Sequence, residues 1–170
     1  MTKYVALLRA VNVGGTGKLP MTELKSMCSD AGFAVVETYI ASGNVAFASK
    51  AGPARIKTEL EGRLLAHLGK PMGVMVRTAA EMLAVLRANP FPEADPKHTY
   101  AIFLDERPPG DALDQPVGQT VERMALGKRE IFVHYANGMG RSKLRIPAAK
   151  LGTARNMNTI AKLADMASKP

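Results

Sequence analysis

The order in which the apolar runs change period most constrains what this chain can fold into. Lys3 to Arg9 is continuously apolar between two charges and reads as a largely buried strand. Val11 to Leu19 is glycine-rich and leads to Pro20, which suits a first helical turn because its missing N–H would be unpaired there anyway. Leu24, Met27, Cys28 and Ala31 then share one helical face, closed by Gly32. Val35 to Ile40 and Val45 to Ala48 are strand-like, with the hairpin signal Ser42-Gly43-Asn44 between them. Pro53 opens a second helix carrying Ile56, Leu60, Leu64 and Leu68, and Gly73 to Arg77 reads as a strand. The order is β-α-β-β-α-β, that of a ferredoxin-like unit.

The remainder partly repeats it. Thr78-Ala79-Ala80-Glu81 is a capping box opening a short helix, which the Asn89-Pro90-Phe91-Pro92 stretch ends. Thr99 to Leu104 is a strand, a short helix is expected near Asp111 to Gln115, and Thr120 to Ala125 pairs with Glu130 to Tyr135 around Gly127-Lys128. A helix from about Met157 to Ala167 comes last. This half reads β-α-β-β-α and lacks a final strand. The expectation is an α+β fold of two ferredoxin-like βαββαβ-type halves, 1–78 and 79–170, the second incomplete.

An apolar content of 46% suits a packed globular chain rather than a disordered one. No apolar run approaches the roughly 20 residues of a membrane span, and Met1-Thr2-Lys3-Tyr4 enters a strand at once, so neither a membrane partner nor a signal peptide is expected. One cysteine, Cys28, and three scattered histidines give no basis for a disulfide or a zinc cage. The reading is a soluble cytoplasmic protein with no metal and no cofactor. The net charge of +8 is uneven: Arg141, Lys143, Arg145, Lys150, Arg155, Lys162 and Lys169 are opposed after residue 140 only by Asp165. Such a segment attracts phosphate-bearing or acidic partners; as a solvated face it would merely aid solubility.

Three segments carry candidate chemistry. Asn12-Val13-Gly14-Gly15-Thr16-Gly17-Lys18-Leu19 fails as a nucleotide-hydrolysing P-loop, because Asn12 holds the leading glycine position and Leu19 follows the lysine. A glycine-rich turn before a helix still presents N–H groups to an anion, with Arg9 and Lys18 beside it. Its glycines are equally explained by a plain turn. Ser42-Gly43-Asn44 is explained by turn geometry, although it lies on the third strand beside the first, the surface RNA-recognition modules use. Tyr4 and Phe47 are the only aromatics those strands offer for base stacking. In Thr153-Ala154-Arg155-Asn156-Met157-Asn158-Thr159 one asparagine, Asn156 or Asn158, is accounted for as a helix N-cap, and the two asparagines together with Arg155 suit an anion. Cys28 reads as a core thiol. His67, His98 and His134 form no recognisable triad, so His134, Ser42 and the unassigned carboxylates are the only catalytic candidates and no mechanism follows.

Together Leu8-Arg9-Ala10-Val11-Asn12-Val13-Gly14-Gly15, Tyr39-Ile40-Ala41-Ser42-Gly43-Asn44-Val45 and the segment from Thr153 to Thr159 resemble the signatures of the domain of unknown function 1697 family, small bacterial proteins with no assigned activity. The resemblance spans about Lys3 to Ala167. Arg9, Asn12, Gly14 and Gly15 match the first signature, with Ala10 in place of glycine. Ser42, Gly43, Asn44 and Phe47 match the second, with Ala41 for glutamine, and Thr153, Arg155, Asn156, Asn158 and Thr159 match the third. Ala154 lacks a hydroxyl and Met157 stands for a tryptophan. The resemblance implies an α+β fold of paired ferredoxin-like halves and supplies no substrate.

The sequence therefore points to binding of a phosphate-bearing, nucleotide-like ligand in a cleft between the halves. Arg9, Lys18 and Arg155 would supply charge, Asn12, Ser42, Asn44, Asn156 and Asn158 hydrogen bonds, and Gly14, Gly15 and Gly43 close backbone approach. Replacing Arg155 with Ala is expected to weaken binding without unfolding the protein. The alternatives are nucleic-acid binding through the basic C-terminal segment, an enzyme of unassigned reaction, and a partner-binding protein. Oligomeric state is not legible.

Overall fold

The computed structural model describes residues 1–9, 19–40 and 42–169. The candidate residues Asn12, Gly14, Gly15 and Lys18 lie outside the described residues. The chain forms two compact units, one of Met1–Met82 with Lys162–Pro170 and one of Leu83–Ala161.

In the first unit β1 (Thr2–Leu8), α1 (Met21–Asp30), β2 (Ala34–Thr38), β3 (Asn44–Ser49), α2 (Pro53–Leu68) and β4 (Val74–Thr78) follow the order the sequence predicts. The four strands pair antiparallel as β2-β3-β1-β4. Strand alternation sends Tyr4, Ala6, Leu8, Val45, Phe47, Val74 and Val76 to one face. The apolar stripes of α1 and α2, Leu24, Met27, Cys28, Ile56, Leu60 and Leu64, close on it. Each fully buried leucine or isoleucine there stabilises the fold by about 1.5–3 kcal/mol. The other face carries Val5, Leu7, Asn44, Ala46, Met75 and Arg77, which are buried as well. This is why β1, β3 and β4 read as continuous apolar runs rather than as alternating ones.

Tyr4 and Phe47 face the helices, not solvent. Their ring centroids are 5.9 Å apart, and Phe33 stacks on Phe47 at 4.5 Å. The base-stacking platform considered for these two residues is therefore not available. α3 (Ala79–Arg87) starts from the predicted capping box: Thr78 N–H donates to Glu81 Oε1 at 2.9 Å and Glu81 N–H to Thr78 Oγ1 at 3.1 Å.

The second unit contains β5 (Thr99–Phe103), β6 (Arg123–Leu126), β7 (Glu130–His134) and β8 (Thr153–Asn156), antiparallel in the order β6-β7-β5-β8. α4 (Met157–Ser168) runs on from β8. Two expectations are corrected. A final strand is present: β8 pairs with β5 over four residues, Asn156 opposite Tyr100 and Thr153 opposite Phe103. Its inward positions are Thr153 and Arg155, so it carries no apolar alternation to mark it. The short helix near Asp111 is absent. Isolated turns take its place, with Ala112 N–H to the Pro109 carbonyl and Asp114 N–H to the Asp111 carbonyl, both at 3.0 Å. Among the described residues no helix is long and apolar enough to cross a membrane.

Candidate functional site

At the end of β1 the first and second motifs come together. The Leu8 N–H donates to the Gly43 carbonyl at 2.8 Å, and the next residue, Arg9, donates its N–H to the Gly73 carbonyl at 2.9 Å. The Arg9 stem runs over Gly73, where a side chain would meet Arg9 Cβ and Cδ at 3.8 Å. Half-buried Arg9 is thus anchored at the sheet end by its backbone, with its first methylenes beside Gly73. Gly73 has no signature in the sequence and is identified as a neighbour of Arg9 only here.

The second motif is built around Asn44, which is fully buried. Its Nδ2 donates to the Tyr39 carbonyl and to Ser42 Oγ, both at 2.8 Å, and its carbonyl accepts from the Tyr39 N–H at 2.9 Å. Gly43 takes φ +86° and Ile40 φ +51°. A β-branched residue is strained in that left-handed region, by about 1–3 kcal/mol, and persists only where its surroundings hold it. The Asn44 side-chain bonds flank Ile40 on either side, at Tyr39 and Ser42.

The third motif lies in the second unit, astride the junction of β8 and α4. Asn156 is the N-cap, its Oδ1 accepting from Thr159 N–H at 2.9 Å. Its Nδ2 reaches the Lys97 carbonyl at 3.5 Å. Asn158, in the first turn of α4, is exposed. Arg155 is only 7% exposed and donates from Nη1 to Thr153 Oγ1 at 2.7 Å and to the Ala154 carbonyl at 2.9 Å. Burial pushes its guanidinium down to about 10, still well above neutrality, so it stays charged.

The remaining candidates are engaged elsewhere. His134 Nδ1 is 3.1 Å from Thr99 Oγ1, and its ring faces Phe91 at 6.5 Å. Cys28 is fully buried, and burial pushes its thiol up to about 12, so it is no thiolate at neutral pH. Among the described residues no three histidine, cysteine or acidic side chains are grouped to hold a metal.

The family model described as Protein of unknown function (DUF1697) matches residues 1–132. The chain belongs to this family. The matched stretch contains the first two motifs; the third lies beyond it, on β8 and α4. Among solved structures, a conserved bacterial protein from Streptococcus pneumoniae is similar at 26% identity and a TM-score of 0.81, over 98% of this chain and 99% of that one. The DUF1697 architecture described above therefore has a solved counterpart along essentially its whole length. A search of curated proteins found no match.

Proposed function

We propose that the protein binds a phosphate-bearing small molecule, nucleotide-like in kind, at the end of the first sheet where β1 leads into residues 10–18. The observation that carries this reading is the pair of consecutive bonds from Leu8 to Gly43 and from Arg9 to Gly73, which gathers an arginine and two glycines from three strand ends. Arginine offers a planar fork of donors to phosphate oxygens, and glycine lets a backbone approach them closely. In this reading Arg9 and Ser42 contact the anion, Gly43 admits it, and Asn12, Gly14, Gly15 and Lys18 complete the site. The strained Ile40, between the two residues that Asn44 bonds, supports a turn kept for more than connection. Arg155 and Asn156 shape the start of α4 in the second unit.

The same reading treats both units as ferredoxin-like variants. The order β2-β3-β1-β4 with α1 and α2 on one face supports it for the first, and the shared strand order supports it for the second. A cytoplasmic setting belongs to it too, since Cys28 is the sole cysteine and is buried.

A second reading has its own observation. Arg141, Lys143, Arg145 and Lys150 are all exposed within one short segment of the second unit, as a phosphate backbone would require. Thermal-shift measurements with a nucleoside monophosphate, a sugar phosphate and short single-stranded RNA and DNA, each at low and moderate salt, separate the two. The first reading expects a salt-tolerant rise with a small phosphate compound that Arg9→Gln abolishes. A rise with oligonucleotides alone, vanishing as salt increases, favours the second. A small-molecule shift that survives Arg9→Gln removes Arg9 from the site.

A further inference from the structure

The second sheet repeats the strand order of the first but not its cover. In the first unit the connections between β1 and β2 and between β3 and β4 are α1 and α2, and their apolar stripes fill the space above the sheet. The corresponding connections in the second unit, residues 104–122 and 135–152, contain no α-helix, only short 3₁₀ turns at Met139–Arg141 and Pro147–Ala149. They lie against Ile102, Leu104, Ile131 and Val133 through Leu113, Leu144, Ile146 and Ala149. This thinner cover leaves a cavity of about 490 Å³, within the roughly 300–1,000 Å³ range of small-molecule sites.

The cavity has a defined chemistry. Ile102 of β5 and Tyr135 just beyond β7 contribute from the sheet, and Val117, Leu144 and Ile146 from the covering segments. Arg145 and Lys150 bring two cations to the same lining. The mouth is fixed by a backbone bridge, Val117 N–H to the Arg145 carbonyl at 2.9 Å and Arg145 N–H to the Val117 carbonyl at 2.7 Å. Gly118, at φ +73°, allows this approach, since a side chain there would collide with the Lys143 carbonyl. Arg145 gives the bridge only its backbone; its exposed guanidinium makes no hydrogen bond or ion pair among the described residues. The Tyr135 hydroxyl likewise makes no hydrogen bond among the described residues, and Tyr135 is part of the cavity lining. Burial pushes its phenol above the ordinary value, so it remains a donor at neutral pH.

We propose that this cavity is a binding site for a small amphipathic anion, a short acyl or aromatic body with one carboxylate. The apolar lining takes the body, and Arg145, Lys150 and the Tyr135 hydroxyl take the charged head. Apolar area supplies affinity, while a charge-assisted bond to arginine sets orientation and selectivity. The site is separate from the one at Arg9 and does not rest on that reading.

Backbone amide chemical-shift titrations with octanoate, octanol and inorganic phosphate test it. Octanoate is expected to perturb Ile102, Val117, Tyr135 and Ile146, to leave Leu8 and Arg9 unmoved, and to bind about tenfold more tightly than octanol. Arg145→Gln should bring octanoate down to the octanol level with the rest of the spectrum intact. Val117→Asp, at an exposed position of the mouth, should abolish octanoate binding by repulsion. Equal affinity for octanol and octanoate, phosphate binding as tightly as octanoate, perturbation centred elsewhere, or binding unaffected by both substitutions would each overturn the proposal.

Discussion

Arg155 and Arg9 are both motif arginines, yet substitution reports different things at each. Arg155 is buried, with Thr153 and Ala154 as acceptors, so Arg155→Ala removes packed methylenes and a donor at once. A stability loss of about 1–3 kcal/mol is expected from urea unfolding. Half-buried Arg9 is the cleaner probe. Asn156→Ala should cost about 0.5–2 kcal/mol as a lost N-cap, whereas exposed Asn158→Ala should stay within about 0.5 kcal/mol. Glu122 makes a pH-dependent contribution. Its carboxylate accepts from Thr120 N–H at 3.0 Å and from the Ser142 hydroxyl at 3.1 Å, bonds that hold its pKa below the ordinary glutamate range. A carboxyl depressed in the folded state stabilises it above the unfolded pKa and loses that contribution as pH falls through the folded one. The stability gap between the wild type and Glu122→Gln should therefore be constant near neutrality and narrow on acidification; a gap that widens would contradict this.

At the level of elements, the parts legible in the sequence are those whose signal is local. The helix faces of α1 and α2, the helical run that becomes α4 and the capping box of Thr78 and Glu81 lie in short windows, and each has its counterpart in the fold. Leu60→Ala, at the centre of one such face, is expected to lower stability by about 2–5 kcal/mol in urea denaturation. β8 was not legible because its buried positions are threonine and arginine, and only pairing with β5 makes it a strand. The candidate site divides the same way. The turn chemistry of Ser42-Gly43-Asn44 can be read from residue type, but the approach of Gly73 to Arg9 depends on β4 pairing with β1 at long range. Asn156 took the N-cap role that composition alone allowed to either asparagine.

At the scale of the whole molecule, one strand order is used twice with two different covers, helices over the first sheet and short turns over the second. Charge is also divided, with Arg141 to Lys150 exposed on the second unit and Arg9 at a strand end of the first. A ligand held by one or two phosphate contacts should lose little affinity between low and moderate salt, whereas an oligonucleotide spread over the basic segment should lose orders of magnitude. The most direct test of the central claim is an amide chemical-shift titration with a nucleoside monophosphate. The account predicts saturable shifts at Leu8, Arg9, Ser42, Gly43 and Gly73 that disappear in Arg9→Gln; shifts confined to Arg141 through Lys150, or none at all, would contradict it.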